Sequence, residues 1–368
     1  MRVLMVSKLN TPRSYGGSNR AYYLGKYLSD WVDLFQLGVD CSGIDYCKSD
    51  SVGSLSVREF YKKTSEVIAS FRPDVVYSFE SRANLACKFL KKRIPGVKFI
   101  FDFTSSPAFE WGTYLRHGKK IPLSLYRWLR GVIIEKMVTS GDTILIAAGE
   151  FLKDILIEKY NVSPDRIFVV PNGAPPEMLD QAQMLKNPYP EDGKKRAVMI
   201  GPRDDYTNIL AVRFLHQVAE MLEDKDIEIV ILGGGPKVGK SPNVRYTGYV
   251  EDVRPYLDHA DICLLPYPRE AVCGGARLKA FEYFSRKKIV LTTPEGLRGL
   301  EEFRHLEHLY LSEDNPSQFA NDLCFLLENK RQFVYLGEAA YQLVSDKYTW
   351  KKLADLVLKE VFFQIGTT

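Results

Sequence analysis

The chain has 368 residues and a mass of 42.0 kDa, and 45% of its residues are hydrophobic while 26% are charged. This length exceeds what one hydrophobic core usually supports, so we expect two folded domains rather than one domain or a disordered chain. The formal net charge of +4 lacks the basic excess of a nucleic-acid-binding protein. The six cysteines are scattered without a Cys-x-x-Cys pair, which argues against a zinc site.

The first half of the chain alternates short apolar runs with amphipathic stretches. It opens on RVLMVS, whose apolar run at 3–6 is too short for a signal peptide or a membrane span, so we expect a cytoplasmic protein. A loop and an amphipathic stretch follow this first strand. Further strands are predicted at 34–39, 74–79, 97–103 and 143–148. Strands that alternate with helical patterns predict a parallel sheet covered by helices on both faces.

The second half repeats this architecture after a segment at 171–195 that is rich in proline, glycine and charge and predicts a linker. Strands are predicted at 196–201, 227–233, 244–248, 262–267 and 288–293, and helices at 209–222, 278–284 and 316–328. Ligands of such sheets bind beyond the carboxyl ends of the strands, so two facing domains predict a ligand-binding cleft.

Glycines follow two of the predicted strands. SYGGSN, at 14–19, precedes a helix, so backbone N–H groups at Gly16 and Gly17 can bind an anion, although a tight turn that needs positive φ explains the same glycines equally well. ILGGGPKVGK, at 231–240, fits neither dinucleotide-binding nor P-loop spacing. A nicotinamide-dependent enzyme is therefore disfavoured.

The segment GGARLKAFEYF, at 274–284, has the most specific pattern. Its glycines are expected to open a helix that carries Arg277 and Lys279 in its first turns and Glu282 three residues after the lysine. Two cations near a glycine-rich helix start suit a diphosphate, and the carboxylate suits the two hydroxyls of a ribose. The alternative is a surface Lys–Glu pair at i, i+3 spacing.

Four segments together resemble the retaining glycosyltransferases of family 4. NVRYTGYVEDVRPYLDHADICLLPYPREAVCGGARLKAFEYF is similar to the donor-binding signature of that family. ILIAAGEFLKDILIEKYNVSPDRIFVVPNGAPPE resembles its entry into the linker, MIGPRDDYTNILAVRFL its first C-domain strand and helix, and YTWKKLADLVLKEVF its closing helix. The resemblance implies the α/β fold called GT-B, in which two Rossmann-like parallel-sheet domains face a central cleft and a C-terminal helix crosses back to the N-domain. The corresponding boundaries are 1–175 for the acceptor-side domain, 176–345 for the nucleotide-sugar domain and 346–368 for the returning helix.

The resemblance also implies roles for individual residues. Arg203, Arg277 and Lys279 are expected to stabilise the diphosphate of the donor. Gly16 and Gly17 are expected to contact the diphosphate or the donor sugar, Tyr249 and Val250 to frame the nucleobase, and Glu282 to bind the ribose. Gly274, Gly275 and Ala276 complete the predicted donor site, in which Gly275 and Ala276 offer backbone N–H groups to phosphate.

The chain departs from the family pattern at three positions. Gly274 stands eight residues before Glu282, where the family often has a second glutamate that contacts the donor sugar, and Glu270 is one candidate to replace it. Asn208 stands where many members have a phosphate-binding lysine. Asp102 lies near the position of a histidine in the N-domain catalytic loop, where it can orient a sugar hydroxyl or the acceptor nucleophile, or cap a helix.

The implied reaction transfers a sugar from a nucleoside-diphosphate sugar to a hydroxyl of a glycan, a lipid-linked sugar or a polysaccharide, with retention of the anomeric configuration. The departing phosphate accepts the proton of the acceptor hydroxyl, so no protein nucleophile is needed. No cofactor is expected. Asp224 and Asp226 match an Asp-x-Asp metal pattern, but they lie in a charged turn, and no metal ion is required.

The segment YLRHGKKIPLSLYRWLRGVIIEKM, at 114–137, interleaves basic and apolar residues in the acceptor-side half. Such a stretch can lie on an anionic membrane, which would place the protein at the inner face of the membrane, or its apolar face can pack on the sheet. Two other functions stay open: a sugar-nucleotide epimerase of related fold and a non-catalytic nucleotide-sugar-binding protein.

Overall fold

The computed structural model describes residues 1–8, 16–118, 121–181, 185–201, 206–235 and 237–366. Contacts along the backbone divide the chain into two compact units. The first unit comprises Met1–Gly173, Gly274–Ala276 and Tyr348–Thr368, and the second comprises Ala174–Cys273 and Arg277–Lys347. Each unit contains one parallel sheet and its helices.

The sheet of the first unit has the order β3-β2-β1-β4-β5-β6-β7 within the described residues, and all of its strand pairs are parallel. Its strands are β1 (Arg2–Val6), β2 (Asp33–Gly38), β3 (Lys48–Ser51), β4 (Val75–Phe79), β5 (Lys98–Phe103), β6 (Ile144–Ala147) and β7 (Ile167–Val169). The strand order reverses between β1 and β4, and ligands of doubly wound sheets bind at such a reversal.

Alternate residues of these strands pack on opposite faces of the sheet. Leu4 and Val6 of β1 belong to one hydrophobic cluster, whereas Val3 and Met5 belong to the other. Because both faces are buried, the strands are nearly continuous apolar runs. The helices that cover this sheet are α1 (Gly16–Leu28), α2 (Val57–Phe71), α3 (Glu80–Lys91), α4 (Pro107–Arg116), α5 (Ile121–Thr139) and α6 (Glu150–Tyr160).

The sheet of the second unit has the order β10-β9-β8-β11-β12-β13 within the part of the chain that is described, again with parallel pairs. Its strands are β8 (Lys195–Ile200), β9 (Ile227–Leu232), β10 (Val244–Gly248), β11 (Ile262–Leu265), β12 (Val290–Thr292) and β13 (Tyr310–Leu311). Its helices are α7 (Pro176–Leu179), α8 (Tyr206–Glu220), α9 (Arg254–Asp258), α10 (Lys279–Ser285), α11 (Pro294–Leu297), α12 (Pro316–Glu328) and α13 (Lys330–Lys347). The order reverses between β8 and β11.

The chain ends in the first unit. Helix α14 (Trp350–Leu356) and a π-helical segment (Val357–Phe362) pack against its sheet and α1, and α15 (Phe363–Gly366) follows them. The predicted α/β class with two parallel sheets is confirmed. Among the described residues, no helix combines the length and apolar character needed to cross a bilayer.

Candidate active site

The ammonium group of Lys279 lies where the strand order of the second sheet reverses, between β8 and β11. Lys279 is the first residue of α10. Its Nζ donates to the Ile200 carbonyl at 2.5 Å, Oδ1 of Asn208 at 2.9 Å and the Tyr267 hydroxyl at 2.6 Å. These partners follow β8 and β11, whose carboxyl ends flank the reversal. All three acceptors are neutral, and no described carboxylate lies within ion-pair distance of Nζ.

Asn208 explains how a missing charge is replaced. Asn208 stands where many members of the family have a phosphate-binding lysine. The Lys279 ammonium, which comes from α10, donates to the Asn208 side chain. The Tyr267 hydroxyl donates to the same Asn208 oxygen at 2.8 Å, and this second hydrogen bond fixes the position of the Asn208 side chain. The positive charge expected near residue 208 is therefore present, supplied from α10.

Arg277 is buried and its charge is compensated. Its guanidinium lies 3.6 Å from the ring centroid of Tyr267 and 3.6 Å from Oε1 of Glu295. It also donates to Oγ1 of Thr207 at 3.2 Å and to the carbonyl of Ala271. Since a buried carboxylate already pairs with it, Arg277 has the geometry of a positioning group for the Tyr267 ring, on which Lys279 also depends.

The helix start predicted at 278 is one residue early, and the expectation that the glycines open this helix is wrong. The glycines do not open α10, which begins only at Lys279, so Arg277 precedes the helix. The carbonyl of Gly274 accepts from the backbone N–H of Ser106 at 3.0 Å, and a Cβ on Gly275 would lie 2.4 Å from the Thr104 carbonyl oxygen. These glycines are needed for close backbone approach. Phosphate binding by the N–H groups of Gly275 and Ala276 stays a prediction.

Glu282 lies one turn after Lys279 and is half-buried. Burial, with a smaller effect of the nearby Glu177, raises the pKa of Glu282 to about 7, while Lys279 opposes this shift. Its carboxyl makes no hydrogen bond or ion pair with any described residue. A carboxylate with open acceptor sites suits the two hydroxyls of a ribose.

Tyr249 follows the last residue of β10 and is 81% exposed. Gly248 adopts a φ of +76° and its carbonyl accepts from the N–H of Gly233 at 3.0 Å, so two glycine turns hold the ring at the carboxyl edge of the sheet. Val250, the next residue, is half-buried. Their contact with a nucleobase stays a prediction.

Asp102 does not have the predicted geometry of an acceptor-binding residue. It is the fifth residue of β5, is fully buried, and binds Nε and Nη2 of Arg20 at 2.9–3.1 Å. The Tyr77 hydroxyl donates to it at 2.6 Å. Because solvent does not reach this carboxylate, a substrate hydroxyl does not either, and the helix cap is supplied by Ser106 instead.

The buried ion pair of Arg20 and Asp102 was missed from the sequence. Arg20 also donates to the carbonyls of Val170 and Pro171 at 2.9 and 2.8 Å, so one side chain ties α1 to β5 and to the segment after β7. An arginine 14 residues after the end of the first strand gives no signal of this. Gly16 and Gly17 are the first two residues of α1, whereas the sequence predicts them in the loop before this helix. Arg203 lies outside the described residues.

Glu270 lines an open cavity of about 640 Å³ in the second unit, together with Glu295 and Arg298. It is paired with Arg269 at 3.4 Å and is exposed on the surface of the loop after β11. Its contact with a donor sugar stays a prediction.

Solved structures share this fold over their whole length. A sucrose-phosphate synthase from Thermosynechococcus elongatus matches with a TM-score of 0.77 and 13% identity, covering 100% of both chains. A glycosyltransferase from Rickettsia africae matches with a TM-score of 0.71 and 17% identity over 100% of this chain and 99% of that one. Anabaena HepE in complex with UDP-glucose matches with a TM-score of 0.71 and 12% identity over 100% of both. The fold is therefore of the GT-B type.

Two family models match the sequence in succession. The model described as "Glycosyl transferase 4-like domain" matches residues 48–173, and the model described as "Glycosyl transferases group 1" matches residues 194–329. The chain belongs to the group 1 glycosyltransferases. The comparison with curated proteins gives no significant match.

Proposed function

We propose that the protein transfers a sugar from a nucleoside-diphosphate sugar to a hydroxyl of a glycan or lipid-linked acceptor, with retention of the anomeric configuration and without a metal ion. The Lys279 ammonium carries this proposal, because the described groups that accept its hydrogen bonds at the order reversal of the second sheet are all neutral. A cation held in this way can stabilise charge that grows on a departing diphosphate.

The chemistry is divided among a few side chains. Lys279 takes the developing diphosphate charge, and Glu282 accepts hydrogen bonds from the ribose hydroxyls. The departing phosphate oxygen takes the proton of the acceptor hydroxyl as the new C–O bond forms, so no protein nucleophile or base is required. Tyr249 stacks on the nucleobase. A uracil base is the first choice because HepE, a structure of the same fold, is described in complex with UDP-glucose.

The first test is thermal unfolding with UDP, GDP, ADP and their sugars. A ligand at 100 times its Kd adds about 2.7 kcal/mol to the stability of the protein, so one base is expected to stand out. The nucleotide sugar of that base is then incubated with glycoside acceptors. Release of the nucleoside diphosphate with an α-linked product from an α-linked donor supports retaining transfer.

Lys279→Ala tests the site within the same assay. We expect turnover to fall by more than about tenfold, a loss of roughly 1.4 kcal/mol of transition-state stabilisation, because the diphosphate charge loses its cation. Lys186→Ala, which removes an exposed lysine of the same unit, is the matched control and is expected to keep full turnover. Equal turnover in both variants would remove Lys279 from the site.

The remaining outcomes identify the alternatives. An epimerised nucleotide sugar without an acceptor would indicate an epimerase. Nucleotide binding without turnover on any acceptor would indicate a non-catalytic binding protein.

We also propose that α5 brings the first unit to an anionic membrane surface. Its exposed side is apolar at Leu125, Tyr126, Leu129 and Ile133. These four side chains face solvent, although Ile134 and Val138 of the same helix pack in the core of the first unit. Contact with the membrane would give the site access to lipid-linked acceptors.

A further inference from the structure

Glu80 has a backbone conformation that side chains rarely adopt. Its φ is +65°, in the left-handed region. Arg72 and Asn161 also have positive φ, but they end α2 and α6, where a left-handed residue satisfies the last carbonyls of a helix. Glu80 is instead the first residue of α3, so helix capping does not explain its conformation. Strain of this kind persists where the surrounding structure imposes it, and it is concentrated at functional sites.

The position of Glu80 is that of a ligand-binding residue. It directly follows β4, at the edge of the sheet where the strand order reverses between β1 and β4. Lys8 lies across this reversal, just beyond the end of β1, and its backbone N–H donates to the Glu80 carboxylate. In doubly wound sheets this crevice is where ligands bind.

The surroundings leave the Glu80 carboxyl available. Burial raises its pKa to about 7, which the nearby Asp102 increases slightly and Lys8 opposes. Asp102 itself is paired with Arg20. No described side chain forms an ion pair with Glu80 within 4 Å. Among the described residues, the contacts of this carboxylate therefore do little to offset the free-energy cost of its strained backbone.

We propose that Glu80 is an acceptor-binding residue of the first unit, whose carboxylate accepts hydrogen bonds from vicinal hydroxyls of a neutral acceptor sugar. This proposal rests on the proposed glycosyl transfer. The strained backbone fixes the carboxylate before the substrate arrives, so little ordering is left for the binding step. The neighbouring N–H of Lys8 holds one carboxylate oxygen in place and leaves the remaining lone pairs to the sugar.

The test compares Glu80→Gly with Glu80→Gln. Glycine adopts positive φ without strain, so Glu80→Gly is expected to raise Tm by about 2–4 °C while it raises the KM for the acceptor by roughly tenfold or more. Glu80→Gln keeps the backbone strain but lacks the charge, so it is expected to raise the same KM without a gain in Tm. Octyl glycosides serve as acceptors, with the sugar nucleotide that gives the largest thermal shift as donor.

Arg72→Gly is the matched control. It relieves a left-handed residue at the opposite end of β4, next to α2, so it is expected to leave the acceptor KM unchanged whatever it does to Tm. Hydrolysis of the donor by water, and the Kd for the nucleoside diphosphate, are expected to stay within about twofold in all three variants, since neither Glu80 nor Arg72 is among the residues proposed to hold the donor.

The outcomes separate this proposal from the proposed function. An unchanged acceptor KM in Glu80→Gly and Glu80→Gln overturns the role of Glu80 while transfer by the wild-type protein still stands. A fall in Tm on Glu80→Gly contradicts the strain argument and also overturns the proposal. A wild-type protein that cleaves no sugar nucleotide refutes glycosyl transfer itself, and the Glu80 proposal with it.

Discussion

Glu282 holds its carboxyl where burial and Glu177 disfavour the charged form. In the folded protein its pKa is about 7, well above the ordinary value of 4.5. The folded state therefore binds this proton more tightly than the unfolded state does. Below about pH 4.5 Glu282 is protonated in both states and does not lower the free energy of unfolding. As the pH rises from about 4.5 through 7, the free energy of unfolding falls, because the unfolded state releases this proton more readily than the folded state does. A carboxylate that lowers the free energy of unfolding when it is charged is better explained by a role in ligand binding than by a role in folding.

Glu282→Gln is accordingly expected to raise Tm more at pH 8 than at pH 5, because the amide has no charge to desolvate. The same variant is expected to bind the nucleoside diphosphate several-fold more weakly at pH 8, since the ribose loses a charged acceptor. Wild-type affinity is expected to fall between pH 8 and pH 6, and that of the variant to stay level. Thermal unfolding and titration calorimetry at each pH measure both, with the exposed Glu313→Gln as control. An equal Tm change at both pH values would refute the expected titration.

At the scale of single residues, the sequence predicts contacts between neighbours in the chain better than contacts between residues that are far apart in it. The spacing of Lys279 and Glu282 predicted that both lie one turn apart on the same helix, which the structure shows. It could not separate Lys279 from Arg277, because Glu295, which compensates the arginine, comes from another loop. Asp102 was misassigned for the same reason, since its partner Arg20 is 82 residues away.

The buried side of helix α5 is mixed, because Ile134 and Val138 join the hydrophobic core and polar residues are buried beside them. Its buried side includes Ser124, Gly131 and Glu135, and the Glu135 carboxylate accepts from the Ser106 hydroxyl and the backbone N–H of Ala108, both at 2.8 Å. The opposite side is apolar, with Arg130 and the exposed Lys136 beside it. Exposed apolar area next to basic side chains matches an anionic lipid surface.

Ile133→Glu is expected to reduce binding to vesicles that contain phosphatidylglycerol, because it places a negative charge on the exposed apolar side. Val334→Glu is the matched control, since Val334 is 45% exposed on α13 of the second unit and Ile133 is 57% exposed. Vesicle flotation measures the bound fraction, which for the wild-type protein is also expected to fall at high salt. Flotation of Ile133→Glu equal to that of the wild type, or no flotation of the wild type, would rule out this surface.

At the scale of elements, hydrophobic runs predicted every buried strand of five or more residues. The strands that were missed are short or polar: β3 is fully exposed and β7 and β13 have three and two residues. The start of α10 was misplaced because Gly274 and Gly275 serve contacts with the backbone at 104–106, which no local pattern reveals.

At the scale of the whole molecule, the duplicated architecture was predictable because each half repeats its own pattern of strands and helices. The unit to which the end of the chain belongs is decided by contacts between residues that are far apart in the sequence. Trp350 of α14 is 1% exposed and stacks on Tyr23 of α1, with ring centroids 5.8 Å apart. A Cβ on Gly173 would lie 2.7 Å from the Trp350 ring, so this glycine admits the indole. The last segment of the chain therefore completes the core of the first unit.

Trp350→Ala is expected to destabilise the first unit by about 3–5 kcal/mol, because a buried indole leaves a cavity. All four tryptophans, Trp31, Trp111, Trp128 and Trp350, lie in that unit, so tryptophan fluorescence reports its unfolding alone. At a typical m-value of about 2–3 kcal/mol/M, the urea midpoint is expected to fall by roughly 1–2 M. Trp31→Ala removes a side chain that is 66% exposed and is expected to change the midpoint little. Nucleotide binding without urea is expected to survive in both variants, because Lys279, Glu282 and Tyr249, the side chains proposed for it, lie in the second unit. Equal midpoints for Trp350→Ala and Trp31→Ala would show that the chain end does not stabilise the first unit.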